Sequence, residues 1–300
     1  MINLYETRNR IQTMMILITC SSVVIVGFIE LRLNFPVVKT LPTHLTDSVI
    51  KFRNDPHVKY MNVSVYKIGI LIPSTTRYIT KPSLNKLSLT NKCIPSILKF
   101  IEKKYNFLIY IGVDKGDYLE TVKHKLETIF DKIKVVVTSG GSFTKTANAI
   151  AREAYTDGMD YLVRINDDTT FETNNWISQG IKVLQNFSPP NIGVVGPTCR
   201  QGNTAILTHD MVHRTHLEIF DFYYPPYFDN WWSDDWITRV YQPNRSTKLN
   251  TWVVNHHLSA HNTRYKVDFK QHSRLNKTLM FDTERLSEYL ESHNRSQTTL

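Results

Sequence analysis

Asn166, Asp167 and Asp168 stand together where an apolar run of Tyr161, Leu162, Val163 and Ile165 breaks off. Neighbouring carboxylates at the end of a buried strand are costly unless a cation or hydrogen-bond donors offset them. Such an oxygen-ligand set suits a hard divalent ion and a phosphorylated substrate. The plain alternative is a solvated turn, which Asn and Asp also favour. A second unusual segment, Phe228 to Ile237, surrounds Asp234 and Asp235 with Trp231, Trp232 and Trp236. Apolar crowding raises a carboxylate pKa and suits a group that takes a proton near neutral pH. A helix start, with Ser233 as cap and the two aspartates near the positive end of the helix dipole, explains the same residues without catalysis.

Histidines cluster twice. His209, His213 and His216 have a spacing that predicts one helical face. A zinc site there lacks a Cys or carboxylate at a recognisable spacing. His256, His257 and His261 follow a strand predicted over Thr251–Asn255. Arg164 lies two residues before Asn166 and so faces the same side of the strand, toward either a phosphate or an interior carboxylate. Gln201 and Asn203 sit in a glycine-punctuated loop after a strand predicted to begin at Ile192. They are available hydrogen-bonders or simply loop residues.

Four earlier elements must position these residues. Lys67–Pro73 and Phe107–Val113 are near-continuous apolar runs, as expected of strands covered on both faces. Lys134–Thr138 is a third strand, and Asp160–Asp168 the fourth. Helical patterns fill the gaps at Cys93–Lys104, Tyr118–Phe130 and Phe143–Ala154. The last has a stripe of small residues that permits close packing on a sheet, and Gly158 follows as a terminator. Alternation of this kind implies right-handed βαβ units and a parallel sheet, with ligands at the carboxyl ends of the strands. Pro73-Ser74-Thr75, Asp114, Ser139-Gly140-Gly141 and the acidic triplet then gather on one rim. Residues 282–300 read as a short helix and a polar tail.

The chain has 300 residues, 41% of them hydrophobic, and a formal net charge of +9. Its Lys and Arg residues are scattered without an aromatic-interleaved stripe, which argues against a nucleic-acid partner. Cys20, Cys93 and Cys199 form no disulfide framework, and Cys93 and Cys199 read as buried thiols. Ile11–Ile29 carries no charge over 19 residues, close to the roughly 20 that a membrane-spanning helix needs. Arg8 and Arg10 before it favour a cytoplasmic N-terminus. A cleaved signal peptide would have a shorter apolar region. The expectation is a short tail (residues 1–10), a transmembrane signal anchor (11–30), a stem (31–65) with Pro36, Pro42 and Pro56, a catalytic domain (66–270) and a C-terminal extension (271–300). Sequons at Asn62, Asn244, Asn276 and Asn294 are consistent with a lumenal catalytic domain in the Golgi or endoplasmic reticulum.

From about Tyr66 to Phe269 the element order and the acidic triplet resemble nucleotide-sugar glycosyltransferases with the glycosyltransferase-A fold. The resemblance implies a Rossmann-like, mostly parallel central sheet flanked by helices. It also implies donor contacts from Pro73, Ser74, Thr75, Arg77, Asp114, Lys145 and Asn148, to which Arg164 is added if it meets phosphate. Asn166-Asp167-Asp168 matches the DxD-like motif that holds Mn²⁺ or Mg²⁺ and the donor diphosphate. Asn166 cannot supply charge, so Asp168 becomes the expected direct ligand and Asn166 a ribose or outer contact. A C-terminal histidine, His261 or His257, would close the metal site. Asp235 matches the base of inverting members, with Asp234 its neighbour, while Trp231, Trp232, Gln201 and Asn203 would face the acceptor. The implied reaction moves a sugar from a nucleoside diphosphate sugar to a hydroxyl of a glycan or glycoprotein. The rivals are a nucleotidyltransferase, which would carry a glycine-rich phosphate loop that is missing after Pro73, and a non-catalytic carbohydrate-binding protein.

Overall fold

The computed structural model describes residues 66–258 and 268–298, together with the backbone of 16–20 and 23–27. Two units divide the chain, Met1–Val63 and Ser64–Leu300. In the first, β1 (Ile16–Cys20) and β2 (Val23–Gly27) pair antiparallel. Both lie in the stretch expected to cross a membrane as a helix, and the strands replace the helix there. Their sequences, ILITC and VVIVG, are rich in β-branched residues, which lose side-chain freedom in helices and favour strands. Among the described residues no helix is long and apolar enough to cross a membrane. The expected tail, the stem and Asn62 lie outside the described residues.

The second unit is built on one eight-stranded sheet. In chain order its strands are β3 (Lys67–Pro73), β4 (Asn106–Asp114), β5 (Ile133–Thr138), β6 (Tyr161–Arg164), β7 (Thr169–Phe171), β8 (Val194–Cys199), β9 (Asp210–His213) and β10 (Ser246–His256). Across the sheet they run β5-β4-β3-β6-β9-β8-β10-β7. The first four are parallel, as the alternation of strands and helices requires. β9 is antiparallel to both β6 and β8, β10 is parallel to β8, and β7 is antiparallel to β10.

Helices cover both faces: α1 (Ile94–Phe100), α2 (Lys123–Ile129), α3 (Phe143–Thr156), α4 (Trp176–Asn186), α5 (Thr215–Phe220), α6 (Ser233–Val240) and α7 (His272–Thr298). The strand period of two then sorts the core. Ile68, Ile70 and Ile72 join one cluster with Ile109, Ile111, Trp176 and Trp252. Leu71 joins the other with Tyr110, Leu162, Ala151, Phe220 and Trp236. Each such aliphatic side chain stabilises the fold by about 1.5–3 kcal/mol through burial. The short stripe on α3 does what its small residues imply: it brings Thr146 and Ile150 directly over Gly112 of β4.

Three elements differ from expectation. Asp210–His213 is a strand rather than part of a helix. It is recruited between β6 and β8, where Met211 and Val212 are buried, so pairing overrides helical spacing. The pattern at Tyr118–Phe130 breaks at Val122 into a four-residue helix and α2. The C-terminal helix begins at His272 and runs to Thr298, and it buries Leu275, Leu279 and Leu286 in the second cluster.

A Cβ at Gly112 would lie 2.5 Å from Thr146 Cγ2 and 2.8 Å from Ile150 Cγ2. Gly112→Ala is therefore expected to destabilise the protein by about 1–3 kcal/mol, as overpacked cores do. A lower denaturation midpoint with an unchanged slope would register it.

Candidate active site at the strand rim

The carboxyl ends of β3, β4 and β6 meet as the sequence pattern requires. Ser74 Oγ, just past β3, donates to Asp167 Oδ2 at 2.6 Å, and both groups are buried. At the end of β4, Asp114 Oδ2 lies 3.1 Å from an Arg77 guanidinium nitrogen and Asp114 Oδ1 accepts from Thr146 Oγ1. Asp117 caps the four-residue helix after it by accepting from the Leu119 N–H. It also accepts from Thr75 Oγ1, Thr76 Oγ1 and the Thr76 N–H. These bonds fix the loop from Ser74 to Arg77 against β4.

Gly140 follows β5 with φ +80°, in the left-handed region that glycine tolerates, and packs beside Asp114. Ser142 then caps α3 by accepting from the Lys145 N–H at 3.2 Å. Lys145 itself is exposed on the first turn. Asn148 is not a donor contact. Its amide nitrogen donates to Tyr224 O and its oxygen accepts from the Tyr223 and Tyr224 N–H groups, so it clamps that backbone.

Past β6 the backbone turns at Asn166–Asp168 and re-enters the sheet as β7. Thr169 of β7 pairs with His256 of β10, and the His257 N–H donates to Asp168 O at 3.0 Å. This ladder sets His256 Nε2 3.0 Å from Asp168 Oδ1. His256 Nε2 also lies 3.3 Å from Asn166 Nδ2, and Asp168 Oδ1 is buried without any hydrogen-bond partner. A buried, unsatisfied carboxylate oxygen facing an imidazole nitrogen is the donor set a divalent ion would fill, with substrate oxygens completing it. Asp168 and His256 therefore fit a metal. His257 does not share that place, because its Nε2 bonds Thr170 Oγ1 at 3.0 Å, and His261 lies outside the described residues. Among the described residues no group of three or more His, Cys, Asp or Glu side chains is gathered for an ion.

Arg164 resolves toward the interior carboxylate rather than a phosphate. It is buried at the end of β6, and one terminal nitrogen reaches Asp210 Oδ2 at 3.1 Å and Asp234 Oδ1 at 2.5 Å. The other donates to Asn166 Oδ1 and Thr208 O, and Nε donates to Tyr224 Oη. Asp210 accepts from Tyr223 Oη and Tyr224 Oη, each at 2.6 Å. Asp234 is in the first turn of α6, where Trp232 turns the chain with φ +74°. Its side chain keeps a third of its surface open. Lost hydration pushes the Asp234 carboxyl up to about 6; Asp210 and Asp235 add to the rise and Arg164 opposes it. Asp235 is also raised by lost hydration, but its charged neighbours are Arg239 and His272. The two aspartates thus face different surroundings, and Asp234 is the one joined to Arg164 and the triplet.

Ser233 Oγ meets Thr144 Oγ1 at 3.0 Å, and Asn230 and Asp229 accept from the first N–H groups of α3, which ties the tryptophan segment to the rim. Trp232 donates from its indole to Asp268 O and packs on His272, while Trp231 is 39% exposed. Gln201 and Asn203 are both exposed. The Asn203 side chain closes its own loop by accepting from the Ala205 N–H. A depression lined by Phe187, Ser188, Asn244 and Arg245 lies at the opposite, amino-terminal ends of β8 and β10 and takes no part in the rim.

Asp210, Tyr223 and Tyr224 are not found by the sequence reading, because helical spacing of the neighbouring histidines hides the strand that carries Asp210 and no motif marks the two tyrosines. His256 was in view, but only strand register picks it from its neighbour. The remaining histidines are structural. His209 bonds Thr169 Oγ1 and Thr208 Oγ1, His213 bonds Thr215, and His216 lies between Tyr241 Oη and Tyr223 O. No shared ion is needed to satisfy them. Cys93 and Cys199 are buried free thiols.

No protein-family model and no curated protein matches the chain in sequence. Solved structures do match in fold. TarS of S. aureus (residues 1–349, in complex with UDP-GlcNAc) aligns with a TM-score of 0.50 at 11% identity, over 72% of this chain and 66% of that one. GalNAc-T7 with UDP, GalNAc and Mn²⁺ gives 0.47 at 9% identity, over 64% and 43%. The mannosyltransferase PcManGT of Pyrobaculum calidifontis, with GDP-Man and Mn²⁺, gives 0.46 at 13%, over 63% and 56%. The chain thus spans about two thirds or less of these proteins' lengths. Its mixed α/β fold, an eight-stranded sheet flanked by helices, is one found in nucleotide-sugar glycosyltransferases.

Burial lowers the His213 and His216 pKa values to about 4. Between the ordinary histidine value and 4 the unfolded chain binds more protons than the folded one, so stability falls as pH drops through that window. Nitrogen-15 spectra of the imidazoles should show both rings neutral at pH 5.5, and the unfolding free energy should decline from pH 6.5 to 4.

Proposed function

We propose that the chain is a metal-dependent glycosyltransferase that moves a sugar from a nucleoside diphosphate sugar to a hydroxyl of a glycan or glycoprotein, with inversion. The carrying observation is the unsatisfied Asp168 Oδ1 beside His256 Nε2, on the same rim as a carboxylate raised toward neutrality. The neighbours' bound UDP-GlcNAc, UDP, GDP-Man and Mn²⁺ support the choice of donor and ion. Mn²⁺ or Mg²⁺ held by Asp168 and His256 would supply Lewis-acid neutralisation of the diphosphate as it leaves. The chain's own residues do the rest. Ser74 fixes Asp167, Arg77 and Asp114 frame the donor side of the rim, and Asn166 is oriented by Arg164. The acceptor lies against exposed Trp231. Arg164 occupies Asp234 Oδ1, so Oδ2 takes the acceptor hydroxyl proton. Asp235, the base expected from the resemblance, is tested beside it.

Asp234→Asn should lower kcat by about 10²–10⁴-fold, the usual worth of a general base. Asp235→Asn should cost less. Full activity of Asp234→Asn in a nucleoside diphosphate release assay, across a panel of donors, would remove the base. Calorimetry with UDP or GDP present should show Mn²⁺ uptake that Asp168→Ala and His256→Ala abolish and His257→Ala retains. An unchanged titration in the first two would remove the metal assignment.

Membrane attachment with a lumenal catalytic unit belongs to the same proposal and rests on the uncharged run Ile11–Ile29 and the sequons. Exposed Asn244 and Asn276 are open to modification. The full chain should stay in the membrane pellet through alkaline carbonate extraction, and release into the supernatant would end this part of the proposal.

A further inference from the structure

Asp210 lies outside every role assigned so far, yet it is a fully enclosed charged group beside the rim. It is 0% exposed and sits on β9, antiparallel to β6, where it pairs in register with Arg164. Its two oxygens accept from Tyr223 Oη, Tyr224 Oη and Arg164. The Arg164 nitrogen that reaches it is the same one that holds Asp234 Oδ1. One guanidinium therefore serves two carboxylates, one sealed and one open to the rim.

We propose that Asp210 is a positioning residue: it shares the charge of Arg164 so that Arg164 fixes Asp234 in place without quenching it as a base. This rests on Asp234 acting as proposed above. A lone arginine–aspartate pair would hold the carboxylate strongly and leave it a poor proton acceptor, since an adjacent cation favours the charged form. A second carboxylate on the same guanidinium weakens that effect, while the geometry of the bond to Asp234 is kept. The direction of the Asp234 shift agrees with this: Asp210 raises it and Arg164 lowers it, after the leading effect of lost hydration.

The other groups around Asp234 do not replace Asp210. Asp235 adjoins it on α6 and points to other partners. His256, at the end of β10, acts in the same direction as Arg164. Tyr224, which bonds both Arg164 and Asp210, holds the two in register, and Phe143 lies with its ring 5.4 Å from the guanidinium. Each member is fixed by another element: β6, β9, the loop after α5, α3 and α6.

The test compares the pH–rate profiles of the full chain, Asp210→Asn and Tyr224→Phe, with donor and Mn²⁺ saturating. In the unaltered protein the acid limb should fall near pH 6. Asp210→Asn keeps shape and an acceptor oxygen but removes the charge. Its acid limb should move about one unit lower, with a plateau kcat reduced at least tenfold and donor KM changed less than twofold. Tyr224→Phe keeps the charges and loses one hydroxyl, so it should lower kcat with the limb in place. An Asp210→Asn limb at the original pH, in a variant whose folding is verified by its thermal midpoint, would overturn the inference. If Asp210→Asn fails to fold, Asp210→Glu decides, because it restores the charge with altered reach: an acid limb unmoved with lowered kcat supports positioning, and an unaffected kcat refutes it. Should Asp234→Asn prove fully active, the base assignment fails first, and that result is separate from any Asp210 profile.

Discussion

A single buried guanidinium holds the rim together. Arg164 ends β6, yet its bonds reach Asn166 in the acidic turn, Asp210 on β9, Tyr224 after α5, Asp234 on α6 and Thr208 O. Burying a cation this completely is unfavourable unless every donor is matched. The cost explains why so many elements converge on it. Removing one partner from such a set leaves an uncompensated charge, which typically costs about 3–5 kcal/mol. The same bonds orient the residues that would do chemistry, so stability and site geometry rest on one group.

Around that anchor the rim divides the work by strand. β3 and β4 supply a loop whose hydroxyls and charges are already bonded to Asp117, Asp114 and Asp167. Preorganisation of this kind means that ligand binding need not order these side chains anew. Just before β7, Asp168 Oδ1 is a buried acceptor left without a donor on the rim. Among the carboxylates of this rim, Asp167, Asp114 and Asp210 are bonded, while Asp168 Oδ1 is buried with no hydrogen-bond partner.

The parallel half of the sheet was legible in the sequence because its strands are apolar on both faces and separated by helical patterns. The small stripe of α3 and the rim residues from Ser74 to Asp168 followed from that order. The antiparallel insertion of Asp210–His213 was not legible. A four-residue strand carries too little pattern to outweigh three histidines at helical spacing, and only its two neighbours make it a strand. Asn148 illustrates the limit for side chains. Its position on α3 suited a donor contact, but its amide is consumed by the Tyr223–Tyr224 backbone, a partner 75 residues away in sequence. For Arg164 both outcomes could be read from the chain, and only the position of Asp210 decides between them.

The pairing of β8 with β10 slips once: Leu249 faces Pro197 and Val253 faces Thr198, so residues 250–252 are extra on β10. Because side chains alternate along a strand, an insertion of odd length inverts which residues beyond it point each way. His256 thereby shares its side with Trp252 and Val254, and the next imidazole turns to Thr170. The choice of which of two consecutive histidines meets Asp168 is thus a matter of parity, written into a bulge several residues upstream.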